Sequence, residues 1–282
     1  GGIREVSAAL SRAEMGGVLS TRELLDVASL LHAANQVRKY GAEQQEKGLT
    51  TTLDLYFSRI NSNKYLEEKI NRAIISEEEI ADAASTTLAN LRRQMRAQNV
   101  RVRETLNHFV SSPTYSKYLQ ESLITQRDGR FVIPVKSEHR GDIPGMVHDV
   151  SSSGATLFIE PAQVVDANNQ LKILLGKEKA EIERILAELT ADVADFSDAI
   201  AADYDVLCKL DFIFAKARFS FALNACAPEI SETTQVNLLR ARHPLLDQKK
   251  AVPIDIALGG EYDTLVITGP NTGGKTVSLK TL

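Results

Sequence analysis

The chain has 282 residues, 43% hydrophobic and 25% charged, a balance that excludes disorder, a collagen repeat and a disulfide miniprotein and leaves room for one large domain or two or three modules. Its 33 basic residues against 37 acidic ones give a formal charge of −4, so an affinity for nucleic acid has to come from a local patch. No run approaches the roughly 18 apolar residues of a membrane span, and the opening GGIREVSAAL is no secretory leader and lacks an initiator Met, which points to an internal segment of a longer protein.

Residues 3–65 read as short amphipathic helices. Ser20 is an N-cap with Glu23 as its capping-box partner, for a helix running to about Tyr40 and ended by Gly41, with Leu24, Val27, Leu31, Ala34 and Val37 on its apolar face. A second helix is expected near Thr52–Ser62. A longer one is expected to open at Ser76, with Glu77, Glu78 and Glu79 in its first turn, and to stop before Ser111-Ser112-Pro113. Its apolar residues fall into rows of sevens, Ala81, Leu88, Met95, Val102 and Phe109 beside Ala84 and Leu91, the latter row continuing with polar Gln98 and Thr105; that 3-4 spacing is a coiled-coil seam.

The stretch that follows changes period. Arg130–Lys136, Gly145–Val150 and Ala155–Glu160 read as strands punctuated by Gly, Pro and Ser. Pro161 then takes the first position of a second long helix, with no further proline until Pro228. One row is Leu186, Val193, Ile200, Leu207, Phe214 and Phe221; the other is Ile182, Leu189, Phe196, Asp203, Leu210 and Ala217. Sixty helical residues span roughly 100 Å and cannot bury a seam alone. An antiparallel pair solves this, the first half lying on 77–110 and the second on the N-terminal helices. The alternative is a set of ordinary core helices broken by kinks. Cys208 and Cys226 would share this helix about 27 Å apart, too far to bridge, as packing residues on the seam; so few cysteines fit a reducing cytoplasm.

Residues 229–268 turn strand-like and end in the apolar run Asp263–Thr268. The next eight residues, Gly269, Pro270, Asn271, Thr272, Gly273, Gly274, Lys275 and Thr276, fit G-x-x-x-x-G-K-[ST], the phosphate-binding P-loop, between a strand and a helix-compatible VSLKTL. Glycine lets the backbone wrap an anion, and successive N–H groups and the helix N-terminus point at it. Lys275 would reach the β- and γ-phosphates of ATP and the Thr276 hydroxyl would ligate Mg²⁺. Hydrolysis also needs a carboxylate on the metal and a group that orients water. Only six residues follow Thr276, so no hydrolysis is expected of this chain alone.

The string TGPNTGGKTVSLKTL resembles the Walker A segment of the MutS family, particularly its bacterial second paralogue. ARHPLL, from Ala241 to Leu246, resembles the lead into that family's ATPase domain, and RDGRFVIPVKSEHRGDIPGMVHDVSSSGATLFIEP resembles the clamp region of the second paralogue. The resemblance implies a mainly α chain with a small β element: a helical core or lever over 1–76, an ascending arm helix over 77–121, a β clamp tip over 122–161, a descending lever helix over 162–227, and the first strands of an α/β P-loop ATPase domain over 228–282. It further implies a homodimeric, cytoplasmic ATPase whose arms clamp double-stranded, branched or mismatched DNA, or ribosomes through rRNA, in recombination suppression, DNA repair or rescue of stalled ribosomes. Full-length family members also carry a nuclease domain, which this chain lacks.

From Leu88 to Arg140 there are ten Lys and Arg against four acids, an excess of six. A basic tip on an acidic body suits phosphate binding without sequence readout, and Arg127, Arg130, Lys136 and Arg140 are the expected contacts. His243 is expected to order the loop leading into the ATPase sheet, and no histidine has metal-ligand spacing to another His or to Cys. Two rival readings remain. Chromosome-maintenance ATPases also join P-loops to coiled coils, but there the P-loop comes first. A structural dimerisation or ribosome-docking module, with an inactive ATP site, is the alternative from another class.

Overall fold

A computed structural model describes every residue except Gly1, Asn271 and Thr272. Its contacts divide the chain into two units, Gly1–Leu207 and Cys208–Leu282.

The first unit opens with helices α1 (Ser7–Glu14) and α2 (Thr21–Glu46). The Ser20–Glu23 capping box forms as expected, and Leu24, Val27, Leu31 and Ala34 are buried. Gly41 does not end α2; the helix runs one and a half turns further. The glycine is there for packing, since a Cβ would lie 2.6 Å from the ring of Phe57. Phe57 belongs to α3 (Asp54–Phe57), all that remains of the helix expected over 52–62. Asn61 donates its N–H to Asp203 Oδ1 at 2.8 Å and Ser62 takes a positive φ of 28°, which turns the chain out of helix. Asn63 then caps α4 (Lys64–Ala73), which buries Leu66, Ile70 and Ala73.

The helix expected at Ser76 is instead a tight antiparallel hairpin of β1 (Ile74–Ser76) and β2 (Glu79–Ile80). Ile74 and Ile80 are paired and both buried, so a strand-type pattern overrides the run of acids. The Ser76 hydroxyl accepts from Glu78 N–H within the turn. The helix begins ten residues later: Ser85 caps α5 (Thr86–Ser111), accepting from Leu88 N–H at 2.9 Å. Leu88, Leu91, Val102 and Phe109 are buried as the seam requires, with Leu106 in place of Thr105. A short α6 (Pro113–Ser116) follows.

Four strands come next: β3 (Thr125–Arg127), β4 (Arg130–Lys136), β5 (Gly145–Val150) and β6 (Thr156–Pro161). They form one antiparallel sheet in the order β3-β4-β6-β5. β4 is buried from Phe131 to Val135. It shares a core with Val102, Leu106 and Phe109 of α5, with Ile159 of β6, and with Ala167 and Leu171 of α7 (Val165–Asp195). Pro161 therefore ends a strand and does not open the helix; a 3-10 turn at Ala162–Val164 intervenes.

The register explains the junction. Ile133 faces Ile159, so Phe131 would face Pro161, which has no N–H to give. The side chain of Asn168 stands in for the missing peptide group. It accepts from Phe131 N–H at 3.2 Å and donates to Phe131 O at 3.0 Å. An amide side chain carries a donor and an acceptor like a peptide, so both backbone groups are paired.

α5 and α7 pair as the antiparallel helices the rows demand. The rod of sixty residues does not form: α7 ends at Asp195, and α8 (Ser197–Leu223) follows a break at Phe196. Phe196 bonds back three residues to Val193 O, a tightened last turn. The N-terminal helices pack on α7 as well as meeting the second half of the rod: Leu19 N–H donates to Thr190 and Lys69 bridges Glu188 and Asp192, while Asp203 of α8 takes the Asn61 N–H.

In the second unit, the rest of α8 leaves Phe212, Phe219 and Phe221 exposed. Cys226 lies beyond the helix, past Asn224 at φ 51°. Both thiols are free and exposed, not buried seam residues. β7 (Val236–Ala241) pairs with β8 (Ile254–Leu258) antiparallel. The run Asp263–Thr268 is not a strand: it has no ladder partner among the described residues, and Val266 is 77% exposed. Such an apolar strand belongs inside a parallel sheet with neighbours on both sides. The last element is α9 (Lys275–Thr281).

Candidate phosphate-binding loop and candidate nucleic-acid interface

The loop before α9 has the backbone its glycines anticipate. Gly269 sits at φ 135° and Gly274 at φ 81°, both in the left-handed half of the map where a side chain is strained. Gly273 N–H donates to Pro270 O at 3.0 Å, closing the turn. Gly274 is the N-cap, so the helix starts on Lys275 with its first N–H groups turned to the loop. Lys275 Nζ donates to Gly269 O at 2.6 Å, spanning the loop from end to start. Thr276 is exposed on the first turn. Two of the eight expected contacts, Asn271 and Thr272, lie outside the described residues.

His243 does what its position suggests. Its Nδ1 accepts from Leu245 N–H at 3.2 Å and its carbonyl accepts from Gln248 Nε2 and Leu246 N–H. Among the described residues no group of three His, Cys, Asp or Glu is placed to hold a metal.

The four expected contacts on the sheet tip divide into two pairs. Arg130 is committed: its guanidinium donates to both oxygens of Glu160, at 2.8 and 3.0 Å, and to Asn169 at 2.6 Å. Glu160 is fully buried, and His148 and Asn168 also bond to it; a buried carboxylate demands this full set of partners. Arg127 lies 3.8 Å from the centre of the Phe158 ring and pairs with Asp149. Lys136 and Arg140 make no ion pair among the described residues: Lys136 is half-buried, with its Nζ donating to Lys117 O at 3.1 Å, and Arg140 is exposed.

Around them is a group the charge count missed. The Tyr118 ring lies 4.8 Å from His139, and Lys117 Nζ sits 4.8 Å over Tyr118. Aromatic residues interleaved with bases, in SKYLQ and VKSEHRGD, were its signal in the sequence. The basic excess itself shrinks: Asp82, Glu178, Asp149 and Glu160, all outside residues 88–140, pair with Arg92, Arg96, Arg127 and Arg130. Those four charges bring the local excess from six to two. A groove of about 370 Å³ beside the β3 edge, lined by Arg103, Asn107 and Gln126 among others, holds one of the ten cations already counted, Arg103, which lies over Phe131.

A glycine-flanked loop of P-loop spacing ahead of a helix, in a chain that also pairs two long helices under a small antiparallel sheet, agrees with the resemblance to the MutS family. Comparison with known proteins gives the branch: the chain belongs to the MutS2 family. It is 47% identical over 282 residues to the endonuclease MutS2 of Ruminiclostridium cellulolyticum, 48% identical over 281 residues to that of Agathobacter rectalis, and 50% identical over 281 residues to that of Pelotomaculum thermopropionicum. Each match takes in 100% of this chain but 35 or 36% of the relative, so the chain spans about a third of the length of these curated relatives. No family model matches the chain.

Proposed function

We propose that this chain supplies the arm, the tip and the nucleotide-gripping loop of a MutS-type ATPase that clamps nucleic acid as a homodimer in the cytoplasm. The observation that carries the reading is the loop from Gly269 to Lys275, with its two positive-φ glycines and a lysine at the helix start. The residues fit an ATP–Mg²⁺ group. Backbone N–H groups of Gly274, Lys275 and Thr276 would hold the phosphates, with Gly269, Pro270, Asn271, Thr272 and Gly273 the other expected contacts; Lys275 would neutralise them, and the Thr276 hydroxyl would face Mg²⁺. When bound, the magnesium nucleotide supplies a phosphoanhydride whose cleavage drives the conformational cycle. A carboxylate for the metal and a water-orienting group are assigned to no residue of this chain, so no turnover is expected of the isolated chain.

On the tip, Lys136 and Arg140 with Lys117, Tyr118 and His139 form the phosphate-facing and stacking group for branched DNA or rRNA. Arg127 flanks it, and Arg130 holds the sheet in shape through Glu160. Contact of this kind reads backbone and exposed bases, not a sequence, and loses affinity with salt.

The deciding experiment takes the protein at the relatives' full length. Lys275→Ala should abolish binding of a fluorescent ATP analogue while leaving the helical circular dichroism unchanged. Lys136→Glu with Arg140→Glu should weaken the salt-dependent binding of four-way junction DNA or ribosomes while leaving nucleotide binding intact. Nucleotide affinity unchanged in the first variant, or nucleic-acid affinity unchanged in the second, overturns that half of the reading.

A further inference from the structure

The paired helices α5 and α7 are packed at both ends and not in the middle. On α5 the buried residues stop at Leu91 and resume at Val102; on α7 they stop at Leu174 and resume at Ile185. Within 92–101 and 175–184 no residue is buried, and Met95 and Ile182 are the half-buried apolar side chains. The two bare stretches lie opposite one another, since Arg92 Nε donates to Glu178 Oε1 at 2.7 Å and Val102 shares an apolar cluster with Leu171. An arm held by side-chain packing is weakest where packing is absent.

Two further features sit in the same place. Gln98 occupies a seam position, and its Oε1 is buried with no hydrogen-bond partner among the described residues. A buried acceptor without a partner gains when the helices part and water reaches it. Gly176 lies inside α7 with nothing within 4 Å of where a Cβ would be, so no packing requires the glycine, and it loosens the helix there. Either side is fastened. On the base side of Gln98 and Gly176, within the unpacked stretches themselves, Arg92 ties α5 to Asp82, Ile80 O and Glu178, and Ser85 donates to Glu181. Toward the tip, Asn168 and Arg130 lock α7 to β4.

We infer that the arm carries a hinge at Gln98 and Gly176, about which the sheet and the tip-side ends of α5 and α7 move as one body. The bend is transmitted at a built-in soft joint and not spread along the helices. This places the joint in residues to which no partner or nucleotide contact is assigned, so it stands independently of the functional proposal above.

Hydrogen exchange on the full chain tests it, with no ligand present. Backbone amides of 96–101 and 175–181 should exchange faster than those of 86–91, 102–109 and 165–174. Gly176→Ala, which adds only a methyl to open space, should slow exchange of 175–181 about fivefold, the factor set by the glycine-to-alanine difference in helix propensity. Gln98→Leu should slow both stretches, and Gly176→Ala alone keeps the test valid if that variant does not fold. Mid-arm amides exchanging as slowly as their flanks, or Gly176→Ala leaving 175–181 unchanged, would overturn the hinge.

Discussion

Replacing Asn168 with alanine tests how the sheet is attached to α7. The side chain is 1% exposed and makes three bonds, two to the backbone of Phe131 and one to Glu160 Oε1 at 2.8 Å. Pro161, its neighbour in the register, cannot take over, so Asn168→Ala strands a buried N–H, a buried C=O and one carboxylate lone pair. Each buried group left unpaired costs about 1–3 kcal/mol, and partial relaxation brings the total to about 3 kcal/mol. At about 2–4 °C per kcal/mol for a unit of this size, the melting temperature should fall by about 6–12 °C. Calorimetry on the parent and the variant measures it, with Asn169→Ala as the control, because Asn169 is half-buried and gives only one bond to Arg130. A variant melting within 2 °C of the parent, or a control that falls equally far, would refute the claim that one amide replaces a rung of the ladder.

Three further outcomes follow from the packing and the charges. Gly41→Ala should destabilise the first unit by about 1–2 kcal/mol despite alanine's better helix propensity, because the new methyl meets the Phe57 ring; urea denaturation reads the difference. The hydrogen bond from Lys69, with help from Arg184, holds the Glu188 carboxyl below its ordinary value of 4.5. A depressed carboxylate stabilises the fold above its unfolded value and loses that contribution as pH falls through the folded one. Lys69→Met should therefore flatten the fall in melting temperature below pH 4.5, and an equally steep fall would rule the pairing out as its cause. Asp203 has the opposite sign: burial pushes its carboxyl above 3.8, so its ionisation costs stability as pH rises past that value. Asp203→Asn keeps an acceptor for Asn61 N–H and should be at least as stable as the parent at pH 7, by denaturant midpoint.

What the sequence made legible was local. Ser20 and Glu23 specify their own capping box, and the strands over 130–136 and 145–150 announce themselves as short β-type runs punctuated by turn residues. The seam residues Leu88, Leu91, Val102 and Phe109 follow from a period that only a paired helix satisfies. The failures came where a distant partner decides. Gly41 looks like a helix end until Phe57, sixteen residues on, is seen to need its space. Pro161 suits a helix start as well as a strand end, and only the register with β4 separates the two. Three glutamates after Ser76 read as a helix N-terminus, yet Ile74 and Ile80 bury their side chains as a hairpin. At the candidate sites the glycine spacing anticipates the positive φ of Gly269 and Gly274. The tip was only half readable, since charge counting cannot see that Glu160 and Asp149 answer Arg130 and Arg127 from strands further along the chain.

The bond from Lys275 to the carbonyl of Gly269 has a bearing on which guests the loop would admit. The ammonium holds a neutral acceptor belonging to its own chain, which directs the side chain across the loop, and with three N–H donors in all it need not release that oxygen to meet an incoming anion. Charged acceptors bind an ammonium about twice as strongly as neutral ones, and the margin grows with each added negative charge. On the reading proposed above, a polyphosphate would therefore be favoured over a weakly charged solute by charge before any shape is read.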